Sequence, residues 1–142
     1  MTETIRRLFE ALEKLIPEYM ADPLDSCKAN GNVSVCIIDE AGQVYGKIFG
    51  DFKPKGRETF GIAWTKASQV WLTGYKTREY ERLVFTNEIA VGAHGIRTPD
   101  LIGWAGGQPL TLPDGTKLSV GFSGFRGVSD IEIMEKALAA IQ

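Results

Sequence analysis

The sequence predicts a single α+β domain over residues 1–142, in which helices pack on an antiparallel sheet built from two hairpins. Its 142 residues are the length of one ordinary domain. Two pairs of apolar segments are each joined by a tight turn, as in hairpins. Segments with helical spacing of apolar residues lie before, between and after these pairs. Because hairpins pair strands antiparallel and the helices need a sheet face to cover, a doubly wound parallel fold is excluded.

The first half of the chain is predicted to form a helix and then a hairpin. Apolar residues recur every three or four positions from Ile5 to Tyr19, and loop-forming residues follow. The next run is β-branched and mostly apolar, as in a buried strand, and a short turn at Gly42 returns the chain. The predicted elements are a helix over 3–20, a loop over 21–31, and strands over Val33–Asp39 and Val44–Phe49.

The second half is predicted to form one or two helices, a second hairpin and a last helix. Gly74 is predicted to separate the two middle helices, and residues 86–102 show no clear pattern. Pro113, Asp114 and Gly115 form a good hairpin turn. The predicted elements are a charged loop over 50–57, a helix from Glu58, a helix over Thr77–Phe85, strands over Pro109–Leu112 and Lys117–Phe122, and a helix over Asp130–Ile141 with Ser129 or Asp130 as N-cap.

Composition excludes several classes of protein. Sixteen basic residues against eighteen acidic ones give a net charge of −2, so no nucleic-acid partner is expected. No apolar run is long enough for a membrane helix, and the N-terminus lacks the apolar core of a secretory signal. Two cysteines are too few for a disulfide framework, which favours a cytoplasmic location. With one histidine and no pair of closely spaced cysteines, no metal site is expected.

Glycine is concentrated near the C-terminus, where seven of the sixteen lie within Gly103–Gly127. Gly106 and Gly107 let the backbone approach a neighbour closely or adopt a positive φ. The stretch Ser123–Gly127 joins a strand to a helix, an arrangement that presents backbone N–H groups to an anion. Within it, Ser123 and Gly124 are candidate ligand-binding residues, and Arg126 could bind a carboxylate. The alternative is a sharp turn with Arg126 in solvent.

Three other features have both a functional and a structural interpretation. His94 lies between glycines and is a candidate for proton transfer or axial ligation, or else a surface histidine without a role. Phe60, Trp64 and Trp71 share a helix face that could line a ligand pocket, although such a stripe more often belongs to a core or a subunit interface. The basic side chains within 53–57 could bind a carboxylate or phosphate, or form a solvated loop.

Several segments between about residue 30 and residue 142 follow one family pattern in order: Val35–Gly42, Thr65–Ser68, Gly106–Leu110, Asp114–Gly115, Gly121–Gly124 and Asp130. Through them the chain resembles the haem-degrading and haem-binding family typified by the GlcG and HbpS proteins, which also occurs as a domain attached to a cobalamin adenosyltransferase. The resemblance implies helices layered on an antiparallel sheet as in profilin, assembly into dimers or higher oligomers, and haem or a related tetrapyrrole as ligand. Within its segments lie the candidate ligand-binding residues Lys66, Gly106 and Gly107. The chain departs from the family pattern at Lys47–Asp51.

Three functions follow as hypotheses. The first is a cytosolic protein that binds a small molecule, haem or a related tetrapyrrole. The second is a small enzyme acting on an organic acid by proton transfer, isomerisation or a lyase reaction, with Arg126 holding the carboxylate and His94 or Asp130 as acid or base. A pocket shared by His94, Arg126 and Lys66 would favour this enzyme. The third is a non-catalytic oligomeric accessory protein that associates through its aromatic helix face.

Overall fold

A four-stranded antiparallel sheet forms the centre of the computed structural model, which describes all residues from Met1 to Gln142. The two predicted hairpins lie side by side in it, because the first strand of one pairs with the last strand of the other, in the order β2-β1-β4-β3. The strands are β1 (Val33–Asp39), β2 (Val44–Phe49), β3 (Gly107–Thr111) and β4 (Lys117–Ser123).

Five helices cover the two faces of this sheet. They are α1 (Thr2–Met20), α2 (Pro23–Ala29), α3 (Lys53–Thr73), α4 (Thr77–Phe85) and α5 (Gly127–Ile141). The segment between α4 and β3 is irregular apart from a 3-10 turn over Thr98–Asp100. No helix is both long enough and apolar enough to cross a membrane.

Alternate residues of the central strands point to opposite faces, and the two faces differ in side-chain size. On one face, Val35, Val120 and Phe122 pack with α1 and α5 in the main apolar core. On the other face, Cys36 lies between Gly46 of β2 and Gly121 of β4, and α3 packs over this row of small residues. The residues on both faces of β1 are therefore buried, as its apolar sequence predicts.

The α+β class and the order of the main elements are confirmed, and several boundaries are corrected. The third strand spans Gly107–Thr111 instead of the predicted Pro109–Leu112. The predicted loop 21–31 contains α2, which begins at Pro23 because the Asp22 side chain accepts a hydrogen bond from the Leu24 N–H and caps the helix. The charged loop 50–57 is shorter than predicted, since α3 already begins at Lys53.

The last helix also begins earlier than predicted. Its N-cap is Arg126, whereas Ser129 and Asp130 lie inside the first turn. Their side chains bind partners outside the helix: the Ser129 hydroxyl donates to Asp25, and Asp130 accepts from the Phe125 N–H. Ser129 or Asp130 was predicted as the N-cap from residue type alone, but both side chains bind groups outside the helix instead.

Candidate functional site

A pocket of about 540 Å³ opens where α3, the end of β4 and the start of α5 meet. This volume is in the range of small-molecule sites. Part of the irregular segment before β3 closes one side, and α2 and α4 contribute to the rim. The lining residues are Lys28, Lys55, Glu58, Thr59, Ile62, Lys66, Arg78, Glu81, Gly103, Trp104, Ala105, Ser123, Gly124, Phe125, Gly127 and Asp130.

Lys66 and Asp130 form a buried charged pair in the wall of this pocket. Each is 2% exposed. The Lys66 ammonium donates a hydrogen bond of 2.9 Å to the Phe122 carbonyl and lies 3.4 Å from Asp130 Oδ2. The second oxygen of Asp130 accepts a 3.0 Å bond from the Phe125 N–H. The pair thus joins α3, the end of β4 and α5, three elements distant in sequence.

Burial moves the pKa values of both groups towards neutrality. Removal from water disfavours a charged group, so burial raises the pKa of Asp130 to about 7 and lowers the pKa of Lys66. The attraction between Lys66 and Asp130 opposes both shifts without cancelling either. Such values in a pocket are typical of sites that transfer protons or bind ligands.

Two glycines make the close approach of these elements physically feasible. A Cβ on Gly121 would lie 2.2 Å from the Ala63 carbonyl oxygen of α3, so any side chain there would push the helix off the sheet. Gly106 has a φ of +126°, and a Cβ there would lie 2.6 Å from Lys66 Nζ. The glycine-rich C-terminal stretch therefore makes room for α3 and for the Lys66 ammonium.

Three cationic side chains on the rim of the pocket have no carboxylate partner. Lys28 on α2, Lys55 on α3 and Arg78 on α4 line it, and none forms a salt bridge. Two carboxylates, Glu58 and Glu81, accompany them. Unpaired cations at a pocket mouth suit the carboxylate groups of a small ligand. The exposed indole of Trp104 adds a flat apolar surface on the same rim.

Most of the predicted ligand-binding residues meet at this pocket. Lys66, Asp130, Ser123 and Gly124 line it. Gly106 and Gly107 lie behind the wall: Gly106 contacts the Lys66 ammonium, and the Gly107 N–H donates to the Thr77 hydroxyl. That Lys66, Gly106, Gly107, Ser123 and Gly124 bind a ligand and that Asp130 acts as acid or base stay predictions, but the structure brings these six residues together.

Arg126 does not line this pocket. Its guanidinium donates to Asp25 and Asp22, on and just before α2, at distances of 3.0–3.2 Å. Burial alone would raise the pKa of Asp25, but hydrogen bonds from Arg126 and Ser129 hold it below its usual value. The charge of Arg126 is therefore already neutralised within the protein.

His94 also lies away from this pocket. It is half-buried in the segment between α4 and β3, where its Nδ1 is 3.0 Å from the Tyr80 hydroxyl and its ring packs edge-on against the same tyrosine. Since neither His94 nor Arg126 shares the pocket with Lys66, the arrangement expected of the organic-acid enzyme does not form.

Several rim residues carry no signal in the sequence. Lys28 lies on α2, which was not predicted, and Arg78 lies on α4, which contains no motif. Only folding brings these two cations to the same pocket. Trp104 carried no signal beyond its position next to the glycine cluster. Lys55 was part of the basic stretch considered for anion binding, and it is the member of that stretch that lines the pocket.

Comparison with known proteins identifies the fold. No protein-family model and no curated protein matches the sequence significantly. Among solved structures, the chain is similar to the PduOC:haem complex (18% identity, 100% and 94% of the two chains, TM-score 0.70). It is also similar to the Klebsiella pneumoniae protein ORFY, a DUF336 protein (20%, 98% and 88%, TM-score 0.69). HbpS is a third neighbour (18%, 98% and 86%, TM-score 0.59). The resemblance found in the sequence is confirmed as a likeness of fold.

The pocket residues fit the edge of a haem but not its iron. Protein ligands to haem iron are commonly histidine, cysteine, methionine or tyrosine, and none of these lines the pocket. His94 is engaged with Tyr80 elsewhere. The rim cations suit the two propionate groups, and Trp104 suits a planar ring. No iron-dependent step can be derived from these residues.

Proposed function

We propose that this protein binds a small organic anion in the pocket between α3 and α5, and that a tetrapyrrole such as haem is the candidate ligand. The observation that carries the proposal is the set of three unpaired cations, Lys28, Lys55 and Arg78, around a pocket of about 540 Å³. Carboxylates are the ligand groups that such a rim attracts. The tetrapyrrole is supported by the fold shared with the PduOC:haem complex.

The test is a titration with haemin and with iron-free protoporphyrin IX, followed by absorbance and by tryptophan fluorescence. Because the rim recognises carboxylates, both compounds should bind with similar affinity. Arg78→Ala should weaken binding about tenfold, the loss expected for one charge-assisted hydrogen bond. Lys14→Ala is the matched control, since Lys14 is an exposed cation on α1, away from the pocket.

Each outcome of this titration has a meaning. Equal binding of both compounds, lost in step with the rim cations, supports the proposal. Binding of haemin alone, abolished by His94→Ala, would place the site at a different position from the pocket. Failure of both compounds to saturate would remove tetrapyrroles from consideration.

We also propose that copies of this chain associate through the outer face of α3. Trp64, Trp71 and Leu72 are 44%, 50% and 49% exposed, and Tyr75 beyond the helix end is 39% exposed. Large exposed apolar surfaces of this kind mark interaction sites. Within the aromatic stripe, Phe60 packs against the core beneath α3, whereas Trp64 and Trp71 are exposed. Native mass spectrometry should show a dimer or higher oligomer, and Trp71→Glu should dissociate it. A monomeric wild-type protein would refute this assembly.

The proposed location is the cytoplasm. One cysteine, Cys36, is fully buried and the other, Cys27, is exposed and unpaired. A free exposed thiol is compatible with a reducing compartment. Fractionation of cells that produce the protein tests this location directly, and recovery from a secreted fraction would refute it.

A further inference from the structure

The hydrogen-bond distances of the Lys66 ammonium differ from those of a cation in a strong ion pair. Charge-assisted hydrogen bonds between ammonium and carboxylate groups normally span about 2.7–2.9 Å. Lys66 Nζ makes its close contact, 2.9 Å, with a neutral carbonyl and stands 3.4 Å from the Asp130 carboxyl. The amine is therefore buried with a single carboxylate, at 3.4 Å, to stabilise its charge.

Asp130 is oriented towards this amine by the backbone. Its Oδ1 accepts from the Phe125 N–H at 3.0 Å, which leaves Oδ2 directed at Lys66 Nζ. Burial raises the pKa of Asp130 to about 7 and lowers that of Lys66, so burial favours the uncharged form of each group. An uncharged amine is the nucleophilic form of lysine, and a carboxylic acid beside it can transfer a proton.

The pocket also offers what a ligand with two functional groups would need. Lys66 and Asp130 line its wall, and its rim holds the unpaired cations Lys28, Lys55 and Arg78. A carbonyl compound that carries a carboxylate could place the carbonyl at the wall and the carboxylate at the rim. Small oxo acids have this combination of groups.

We propose that Lys66 forms an imine with the carbonyl of a small oxo acid bound in this pocket. The amine nitrogen attacks the carbonyl carbon, and one of its two protons passes to the carbonyl oxygen, which becomes the hydroxyl of a carbinolamine. Asp130 donates its proton to this hydroxyl, which leaves as water while the nitrogen forms the C=N bond. The second nitrogen proton then passes to Asp130, so amine and carbonyl give imine and water with no change in oxidation state. The inference rests on the proposed function, because it uses the same pocket for a smaller anion.

The experiment uses the whole protein, pyruvate and sodium cyanoborohydride, which reduces an imine to a stable secondary amine. Pyruvate is chosen because a ketone condenses poorly with the charged amines of exposed lysines. Intact mass should increase by one carboxyethyl group, and peptide mapping should place it on Lys66. The reaction rate should reach its plateau at a pH well below 10.5, the ordinary pKa of lysine.

Variants separate the chemistry from a purely structural role. Lys66→Arg should abolish the modification, and Asp130→Asn should slow it at least tenfold because the proton donor is lost. Arg78→Ala should raise the pyruvate concentration needed for half-maximal rate. Mapping of the wild-type protein needs no variant, so it remains informative if Lys66→Arg folds poorly.

The inference is overturned if wild-type Lys66 stays unmodified, whether no adduct forms or adducts spread over exposed lysines such as Lys14 and Lys53. It is also overturned if the rate at Lys66 follows the pH dependence of an exposed lysine. Binding of porphyrins together with an unmodified Lys66 would refute the imine and leave the proposed function intact. Modification of Lys66 without porphyrin binding would instead refute the tetrapyrrole.

Discussion

The two faces of the sheet bury different kinds of side chain. The face covered by α1 and α5 buries large apolar groups, and residues such as Leu12 and Ile133 are fully inaccessible. The face covered by α3 buries polar groups: Ser34 shares a 2.8 Å hydrogen bond with Thr59, and Lys66 lies beside Asp130. Hydrophobic burial stabilises the fold at the first face, whereas the second face holds the groups that can do chemistry.

Side-chain size follows the same division. Large residues separate α1 and α5 from the sheet, whereas on the other face Gly121 lets the α3 backbone approach closely and Gly46 makes room for the Phe60 ring of α3. No buried side-chain polar atom lacks a hydrogen-bond partner, so the polar groups buried beneath α3 are all hydrogen-bonded. A polar site can therefore exist inside a small domain because the opposite face supplies the apolar core.

The largest effect is expected from a cavity in the apolar face. Leu12→Ala should lower the free energy of unfolding by about 2–5 kcal/mol, since a fully buried leucine is truncated. Urea denaturation measures this loss. Porphyrin affinity of the folded variant should equal that of the wild type, because Leu12 does not line the pocket. A large change in affinity would show that the two faces are not separate.

The second-largest effect is expected in the pH dependence of stability, and it comes from Asp130 on the polar face. A free aspartic acid titrates near 3.8, whereas burial raises the folded pKa of Asp130 to about 7. Between these two pKa values, 3.8 and about 7, the folded state therefore binds more protons than the unfolded state. The contribution of Asp130 to stability is lost as the pH rises through this interval. Asp130→Asn should remove roughly 1–4 kcal/mol of this pH dependence.

Urea denaturation of wild type and variant across that pH interval measures the difference. Asp114→Asn is the control: Asp114 is exposed in the β3–β4 turn, where hydrogen bonds from Thr116 lower its pKa. Its removal should not reproduce the effect. Parallel pH profiles of wild type and Asp130→Asn would contradict the pKa assigned to Asp130.

A third effect tests the close packing of α3. Gly121→Ala places a Cβ against two backbone atoms of α3, the Ala63 oxygen and the Ala67 nitrogen at 2.2 and 2.7 Å, so the helix must shift. We expect a loss of about 1–3 kcal/mol. Gly61→Ala on the same helix meets no atom within 4 Å and should stabilise the protein by roughly 0.5–1 kcal/mol. Equal effects at both glycines would refute the packing argument.

The smallest effect is expected at Arg126. Arg126→Ala removes the partner of the buried Asp25 and should lower the free energy of unfolding. The exposed pair of Arg82 with Glu79 is the control, and Arg82→Ala should lower it less. Porphyrin affinity measured by titration should be unchanged by Arg126→Ala. A tenfold loss would restore Arg126 as a ligand-binding residue.

Local sequence patterns were sufficient for most of the fold. The strands β1 and β2 and the helix α4 have the predicted bounds, and Gly74 ends α3 in a left-handed conformation. These elements depend on spacing, turn residues and β-branched runs, which act over a few residues. The error at the start of α5 occurs where an element depends on a distant group, since its first turn binds Asp25. The missed helix α2 instead begins at a local signal, because Asp22 caps it and Pro23 opens it.

The candidate site was only partly predictable, for the same reason. Glycine content by itself pointed to the segment that contains Ser123 and Gly124, because a strand that turns sharply into a helix needs glycine. The sequence could also mark Lys66 and Asp130 as candidates, but not as a pair, since 64 positions separate them. It favoured His94 and Arg126 by residue type, and the structure gives both side chains other partners.

What the sequence determined is therefore the α+β class, the two hairpins and the concentration of glycine near the C-terminus, all of which follow from local backbone preferences. What only the tertiary structure decided is where α3 crosses the sheet. That crossing buries Lys66 beside Asp130 and aligns the cations of α2, α3 and α4 around one pocket. Burial and proximity shift pKa values and create sites, and both depend on residues that are distant along the chain.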